Sequence, residues 1–413
     1  MPLKVAVIGA GIVGVCSASY LQRDGHTVTI FDPVPPGGSC SFGNLGSLSP
    51  GSCVPLALPG VLRKVPKWLI ERDGPLHLSA KRLPAALPWL ARFVAASSPA
   101  RVARIADALG ALHSRVFEAY APLLKAAGAE NLVQRPGQLY VFETEESYRH
   151  GATELALRRE RGERQEVLGA EELRQFEPAL ALRCARGVFL PDAGHCVDPE
   201  GLVKSLAEAF SRAGGRIESR RVTGLRAEGE GVSLKTEAAS YRFDRVVVAG
   251  GAWSSALLRP LGARVPLESL RGYHAVLKRA GRMPRMAIRF TEAKIMATPM
   301  AMGIRIGGTI EIAGLAPPPR PGRAKALAAL GARMFVEADG ADFTEWMGHR
   351  PGTPDSLPVI GPLAHHRSVI CAFGHGQTGL TGAAVTGRIV ADHVAGRAPE
   401  FDVSPYSPRR FGA

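Results

Sequence analysis

Three glycines, at positions 9, 11 and 14, and an aspartate at position 32 carry the most legible chemistry of the chain. Residues 9–14 read GAGIVG, a G-x-G-x-x-G spacing. In such a loop the first glycine permits a tight turn and the second lets the backbone approach a pyrophosphate. The third lets the following helix pack on the preceding strand. Asp32 stands 23 residues after Gly9, where a carboxylate can accept hydrogen bonds from ribose hydroxyls. A helix that opens in this loop also offers N–H groups and a partial positive charge to phosphate. The chemistry is dinucleotide binding.

The flanking residues supply the elements that such a loop needs. KVAVI at 4–8 reads as a buried parallel strand and HTVTIF at 26–31 as a second one. Between them Val13, Ser17, Ala18 and Leu21 fall near one face of a helix that Gly25 ends. Strand, loop, helix, strand and terminal acid agree on a Rossmann βαβ unit. This unit alone does not separate FAD from NAD.

Two distant segments favour FAD. In DRVVVAGGAWS at 244–254 a strand runs into Gly250-Gly251, after a hairpin formed by 221–227 and 232–236. Near the C-terminus a strand at 369–373 enters GHGQTGLTGA at 374–383, which opens a helix through about Val394. A glycine-rich loop at a helix start aims N–H groups at negative charge. In a flavoenzyme that charge is the one on the reduced ring.

The chain has 413 residues and a hydrophobic fraction of 46%, enough for two interlocked domains with a real core. Its net charge of +14 is spread along the sequence, without a Lys/Arg block or an aromatic RNA signature. Nucleic acid is therefore not expected as a partner, whereas attraction to an anionic membrane surface stays open. The six cysteines form no C-x-x-C pair and no histidines cluster at zinc spacing, so a metal is not expected. Scattered thiols suit a reducing, cytoplasmic setting. The apolar start at 3–8 is too short for a signal-peptide core, and no run reaches the ~18–20 apolar residues of a spanning helix.

These segments together resemble the FAD-dependent D-amino-acid oxidase superfamily, which includes glycine and sarcosine oxidases, and within it the D-amino-acid dehydrogenases. The resemblance covers nearly the whole chain. It is carried by residues 7–32, SFGNLGSLSPG at 41–51, VVVAGGAWS at 246–254, RPGTPDSLPVIGP at 350–362 and residues 374–394. The 41–51 segment is the specific one for the dehydrogenase branch, which also shows the proline-broken apolar stretch PGVLRKVPKWLI at 59–70. Two departures stand out: Asp32 replaces the glutamate of many relatives, and Gln377-Thr378 replaces the usual pair.

The resemblance implies that Gly9, Gly11 and Gly14 cradle the pyrophosphate and that Asp32 holds the adenosine ribose. Ser41, Asn44, Leu45 and Gly46 would line the pyrophosphate and flavin. Val222 would touch the adenine and Gly250 the pyrophosphate region. Gly376, Gly379, Leu380 and Thr381 would lie near the flavin pyrimidine edge, with His375 close to the ring. The points of covalent flavin attachment have no matching cysteine here, since Cys371 falls inside a predicted strand. Non-covalent FAD is expected.

Oxidation of an α-amino acid sends a hydride equivalent from Cα to flavin N5, so the protein's task is to orient the substrate. A guanidinium fork binds a carboxylate bidentately and keeps its charge. Arg350, which opens RPGTPDSLP, is the expected clamp; the matching residue in glycine oxidase-like relatives has that role. RGYH at 271–274 offers Tyr273 as a second carboxylate contact or flavin cover and His274 as a partner for the amine. Adjacent strand residues face opposite ways, so the two do not both face the ligand unless the strand bulges, and Tyr273 is favoured. His195 and Cys196 read as loop packing, and Asp198 with Pro199 as the cap of a helix at 200–212. Met296, Met300 and Met302 read as core or lining.

The expected fold is α/β: a Rossmann-like FAD-binding domain (1–85, 186–264 and 345–413) interlaced with an α+β substrate domain (86–185 and 265–344) built on an antiparallel sheet. Residues 84–130 are expected to be helices over the site, and 265–315 antiparallel strands. The expected activity is oxidative deamination of a D-amino acid, cyclic ones such as a D-proline derivative included, to an imino acid and 2-keto acid. A glycine- or sarcosine-type amine oxidase is the alternative within the class, and a flavin-binding subunit of a larger dehydrogenase complex the alternative outside it. Oxygen or a quinone would accept the electrons. The basic surface and the 59–70 stretch would permit peripheral docking at the inner face of the cell membrane.

Overall fold

The structure of the chain, a computed structural model, describes residues 1–60, 76–279 and 281–413. From residue 61 on, the apolar 59–70 stretch lies outside the described residues.

KVAVI is buried at every position after Lys4, as a central parallel strand requires. It forms the middle of a six-stranded sheet. Arg216–Glu218, Thr27–Phe31, Lys4–Ile8, Arg245–Val248 and Val369–Phe373 run parallel, and Val359–Pro362 closes the edge antiparallel. Helices Ile12–Arg23, Pro199–Arg212 and Gly379–Ala395 cover one face. The second of these starts as its sequence predicts: Pro199 fills its first turn, and the Asp198 carboxylate accepts the Gly201 N–H at 3.0 Å. On the other face packs a three-stranded sheet of Val222–Glu228, Gly231–Thr236 and Ser240–Phe243, which adds a strand to the expected hairpin.

The glycine loop is held by contact rather than by composition alone. Gly9 has φ +114°, and a Cβ there would lie 2.4 Å from the Ala249 carbonyl oxygen. A Cβ on Gly14 would lie 1.9 Å from the Gly9 carbonyl oxygen. The helix can sit on its own turn only because both side chains are missing.

The second sheet has nine strands. Its main path runs Phe343–Gly352, Glu268–Leu277, Gly303–Ile312, Ile295–Met300, Ala287–Phe290, Gln138–Phe142, Arg186–Leu190 and Glu166–Gly169, and Leu76–Leu78 pairs beside Ile310–Ile312. Three expected domain boundaries are corrected by this pairing. Arg186–Leu190, Phe343–Gly352 and Leu76–Leu78 belong to this sheet, which is mostly antiparallel but pairs parallel at Leu76–Leu78 and between Gln138–Phe142 and Ala287–Phe290, although 186–190, 345–352 and 76–78 were expected on the FAD side. Local patterning marks these segments as strands, but the sheet they join depends on distant partners.

Helix Arg323–Met334 packs on the back of this sheet, where a Cβ on Gly331 would meet the Ile306 side chain. Helices Leu83–Ala96, Pro99–His113 and Val116–Ala127 occupy the expected 84–130 region. All six cysteines are free thiols. Among the described residues no helix is long and apolar enough to cross a membrane.

Replacing Gly14 by valine should overpack the turn. Cost to stability is expected at about 1–3 kcal/mol, read as a lower Tm, together with loss of the copurified flavin absorbance.

Candidate active site

A cleft of about 1050 Å³ lies where the carboxyl ends of the parallel strands meet one face of the antiparallel sheet. This is the crevice in which open α/β sheets bind their ligands. Gly9, Gly11, Asp32, Ser41, Asn44, Leu45, Val222, Gly250, His375, Gly376, Gly379, Leu380, Thr381 and Arg350 all line it. Residues far apart in sequence are thus brought to one surface.

At the glycine loop, Gly11, Ile12 and Val13 open the first helix onto the cleft. The Ser41 hydroxyl accepts the Ile12 N–H at 3.0 Å. The Asp32 carboxylate accepts the N–H groups of Ala10 and Val34, each at 2.8 Å. These two bonds fix its direction and leave lone pairs over the cleft. The helix Gly379–Ala395 starts at the same wall, so a second N-terminus points at the ligand space. A narrow glycine-lined entry, an acceptor for ribose and two helix starts for anionic groups fit FAD.

The segment from Cys40 to Ser47 joins this half to the antiparallel sheet. Arg305 donates to the carbonyls of Phe42 and Asn44 at 2.8 and 2.7 Å, and Thr298 donates to that of Leu45 at 2.7 Å. Burial pushes the Arg305 guanidinium down to about 10, so it remains a cation at neutral pH. Thr381 donates to the Ser47 carbonyl at 3.1 Å. Gly46 does not line the cleft. Its φ is +74°, its N–H goes to the Asn44 amide oxygen, and a Cβ would strike the Cys196 carbonyl 2.5 Å away. Gly14 also stands back from the cleft, consistent with its packing role.

Arg350 reaches across Gly272, where a Cβ would lie 2.1 Å from the guanidinium carbon. Its two terminal nitrogens donate to the carbonyls of Thr309 and Gly308 at 3.0 and 3.3 Å. Among the described residues no carboxylate pairs with it. Burial lowers its pKa from the ordinary guanidinium value, and the nearby Cys40 thiol only partly opposes this. That thiol is itself pushed up to about 11 by burial and donates to the His349 carbonyl.

The preference for Tyr273 over His274 is corrected. Tyr273 lies on the back of its strand, away from the cleft. Its hydroxyl donates to Glu311 at 2.5 Å and accepts the Arg320 N–H at 2.8 Å. His274 is on the cleft side of the strand but is covered. Its ring stacks on Trp346 with centroids 5.2 Å apart, and Nδ1 lies 3.2 Å from the Gly43 carbonyl oxygen. Burial takes it down to about 3, so it is neutral. His375 borders the cleft, but its ring turns into the helix, where Nε2 meets the Thr386 hydroxyl at 2.8 Å. It too is held down to about 3 by burial.

Sequence reasoning missed one whole wall. Tyr140 lies between the guanidinium groups of Arg158 and Arg289, each 5.3 Å from its ring centroid. Glu154 sits 3.7 Å from both. Burial works to raise the Glu154 pKa, but Arg289, Arg158 and Lys294 together hold it below the ordinary value. Glu154 and Arg158 have helical i,i+4 spacing, a signal that by itself indicates a surface pair. Trp346, Trp89, Phe93 and the Leu76–Leu78 strand also line the cleft without belonging to any motif.

Residues 4–393 match the family model described as FAD dependent oxidoreductase. The chain belongs to this family of FAD-dependent oxidoreductases. It is 39% identical to a D-amino-acid oxidase of Bradyrhizobium diazoefficiens over 98% of both chains. It is 32% identical to a D-amino acid dehydrogenase of the same organism over 99% of both. The solved glycine oxidase of Geobacillus kaustophilus shares the fold, with a TM-score of 0.75 and 21% identity over 98% of each chain. The mixed architecture, with a Rossmann-like FAD-binding part, is therefore that of this family of flavoenzymes.

For the oxidoreductase, Tyr273→Phe separates structure from binding. The change strips the buried Glu311 of its hydroxyl partner and should cost about 1–3 kcal/mol of stability. Tm is expected to fall while the substrate KM stays within twofold. A steep rise in KM with an unchanged Tm would return Tyr273 to the site.

Proposed function

We propose that this enzyme oxidises a D-amino acid to an imino acid, which hydrolyses in water to a 2-keto acid and ammonia. The observation that carries the reading is Arg350: a desolvated guanidinium, facing the cleft and, among the described residues, held only by main-chain carbonyls. A cation so placed is stabilised by a bound carboxylate. The names of the two relatives support the D-amino acid as the carrier of that carboxylate.

FAD, when bound, supplies the two-electron acceptor for the hydride that leaves Cα. Gly9, Gly11, Asp32, Ser41 and Gly250 are positioned to hold its dinucleotide part, with Val222 at the adenine. Asn44, Leu45, Gly376, Gly379, Leu380 and Thr381, which line the same cleft, would hold the ring. Cys40, the one cysteine of the described residues that lines the cleft, bonds to a main-chain carbonyl, which supports non-covalent FAD.

Arg350 binds the carboxylate, and the carbonyls of Gly308 and Thr309 set the plane of its fork. Leu270, Trp89 and Phe93 keep water from the reacting carbon. Neither His274 nor His375 carries a charge at neutral pH, and neither ring faces the substrate space. Neither histidine is therefore placed to deprotonate the substrate amine.

A cytoplasmic setting, with peripheral contact at the inner membrane face, is part of the same reading. The free thiols and the +14 net charge support it. So does the helix Leu83–Ala96, which exposes Leu83 and Leu87 near Lys81 and Arg92.

Anaerobic bleaching of the bound flavin by D- and L-amino acids, glycine and sarcosine tests the reaction without assuming an acceptor. D-isomers should bleach it and L-isomers should not. Faster bleaching by glycine or sarcosine would favour an amine oxidase instead. Peroxide release compared with dye reduction then separates oxygen from a quinone as acceptor.

A further inference from the structure

The strand Gly303–Ile312 changes parity beside Arg350. Against Glu268–Leu277, Glu311 pairs with Arg271 and Gly308 with Tyr273, so Thr309 and Ile310 together oppose the single residue Gly272. This is a β-bulge, and Thr309 holds φ +47° within it. A β-branched residue rarely takes that left-handed conformation, so the surrounding structure imposes it.

A bulge exchanges the faces of every residue beyond it. Before the bulge, Arg305 and Gly307 face the 42–45 loop: Arg305 bonds its carbonyls, and a Cβ on Gly307 would strike Leu45. Uninterrupted alternation would carry Glu311 onto that same face, beside Arg350. With the bulge, Ile310 and Ile312 line the cleft instead. Glu311 turns to the back, where Tyr273 and Arg271 hold it. The carboxylate that would have neutralised Arg350 is removed and an isoleucine takes its place.

Among the described residues, the side chains that share this arm of the cleft with Ile310 are apolar. Ile310, Leu56, Leu78, Leu90 and Phe93 pack, partly buried, against Ala86, Trp89, Leu270 and Ile312 and line the same arm of the cleft. Phe93 stacks on Trp89 with centroids 5.2 Å apart, and the Trp89 N–H is spent on the Gly352 carbonyl at 3.0 Å. Of the charged wall, Lys294 stands one strand away, its carbonyl oxygen bordering Gly308, while Glu154, Arg158 and Arg289 stand further off. Arg289 lies on Ala287–Phe290, two strands beyond the strand that holds the Arg350 fork, a spacing of about 10 Å.

We propose that Ile310, presented by the bulge at Thr309, is the specificity-determining residue of the site and selects D-amino acids with branched or aromatic apolar side chains over acidic ones. The proposal rests on the reading of the enzyme as a D-amino-acid oxidoreductase. A carboxylate held at Arg350 places the substrate's side chain next to Ile310, because Thr309 supplies the carbonyl for one and the chain step to the other.

The test is kcat/KM for D-alanine, D-leucine, D-phenylalanine and D-aspartate, with the native protein and with Ile310→Ala and Ile310→Arg, each checked for flavin content. The native enzyme should prefer D-leucine and D-phenylalanine to D-aspartate by at least a hundredfold. Ile310→Ala should lower the ratio of D-leucine to D-alanine about tenfold, as loss of several methylene contacts does. Ile310→Arg should lower the ratio of D-leucine to D-aspartate by at least tenfold. Should the arginine variant fail to hold flavin, the alanine ratio decides. Unchanged ratios, or equal losses for every substrate, would overturn the role of Ile310 while leaving the reaction intact. A native enzyme whose flavin no D-amino acid bleaches would overturn both.

Discussion

A guanidinium taken out of water needs an anion, and among the described residues none pairs with Arg350. The local structure is arranged around that constraint. Gly272 leaves room for the side chain, the carbonyls of Gly308 and Thr309 orient it, and Glu311 is bonded on the far side of the sheet. Each of these features would be a defect in a sheet built only for stability. Together they keep a cation available to a small carboxylate.

The same division of labour runs through the whole molecule. The edge of the parallel sheet offers glycines, a carboxylate and two helix starts, which suit a dinucleotide. The face of the antiparallel sheet offers Arg350, an apolar arm and a charged wall, which suit a substrate. The segment from Cys40 to Ser47 belongs to both. Ser41 is tied to the first helix, while Phe42, Asn44 and Leu45 are tied to Arg305 and Thr298. On the proposed reading, a bound ring and a bound amino acid would be fixed against one shared piece of backbone.

What could be read from the sequence was whatever depends on neighbours in the chain. The turn at Gly9–Gly14, the terminal acid Asp32, the helix capped by Asp198 and the RPGTPD segment all declare themselves locally. The choice between Tyr273 and His274 could not be made that way. Alternation says that the two face apart, but which one faces the ligand depends on packing that the strand does not encode. The bulge at Thr309 is likewise silent, since GGTIEI reads as ordinary alternation until its partner strand is known. Arg305, a cation inside an apolar strand, was a signal that could have been used. The cluster of Tyr140, Glu154, Arg158 and Arg289 gave none, because its members meet only when Gln138–Phe142 pairs with Ala287–Phe290.

The central claim, that Arg350 receives the substrate's carboxylate, is tested most directly by removing each partner in turn. Anaerobic flavin reduction would be compared for D-phenylalanine and D-phenylalaninamide, with the native protein and with Arg350→Ala. A buried charge-assisted contact of this kind contributes about 2–5 kcal/mol. The account predicts that the acid loses at least ~30-fold in kcat/KM on substitution, that the amide is slow with both proteins, and that bound FAD is retained. Equal losses for acid and amide, or no loss for the acid, would contradict it.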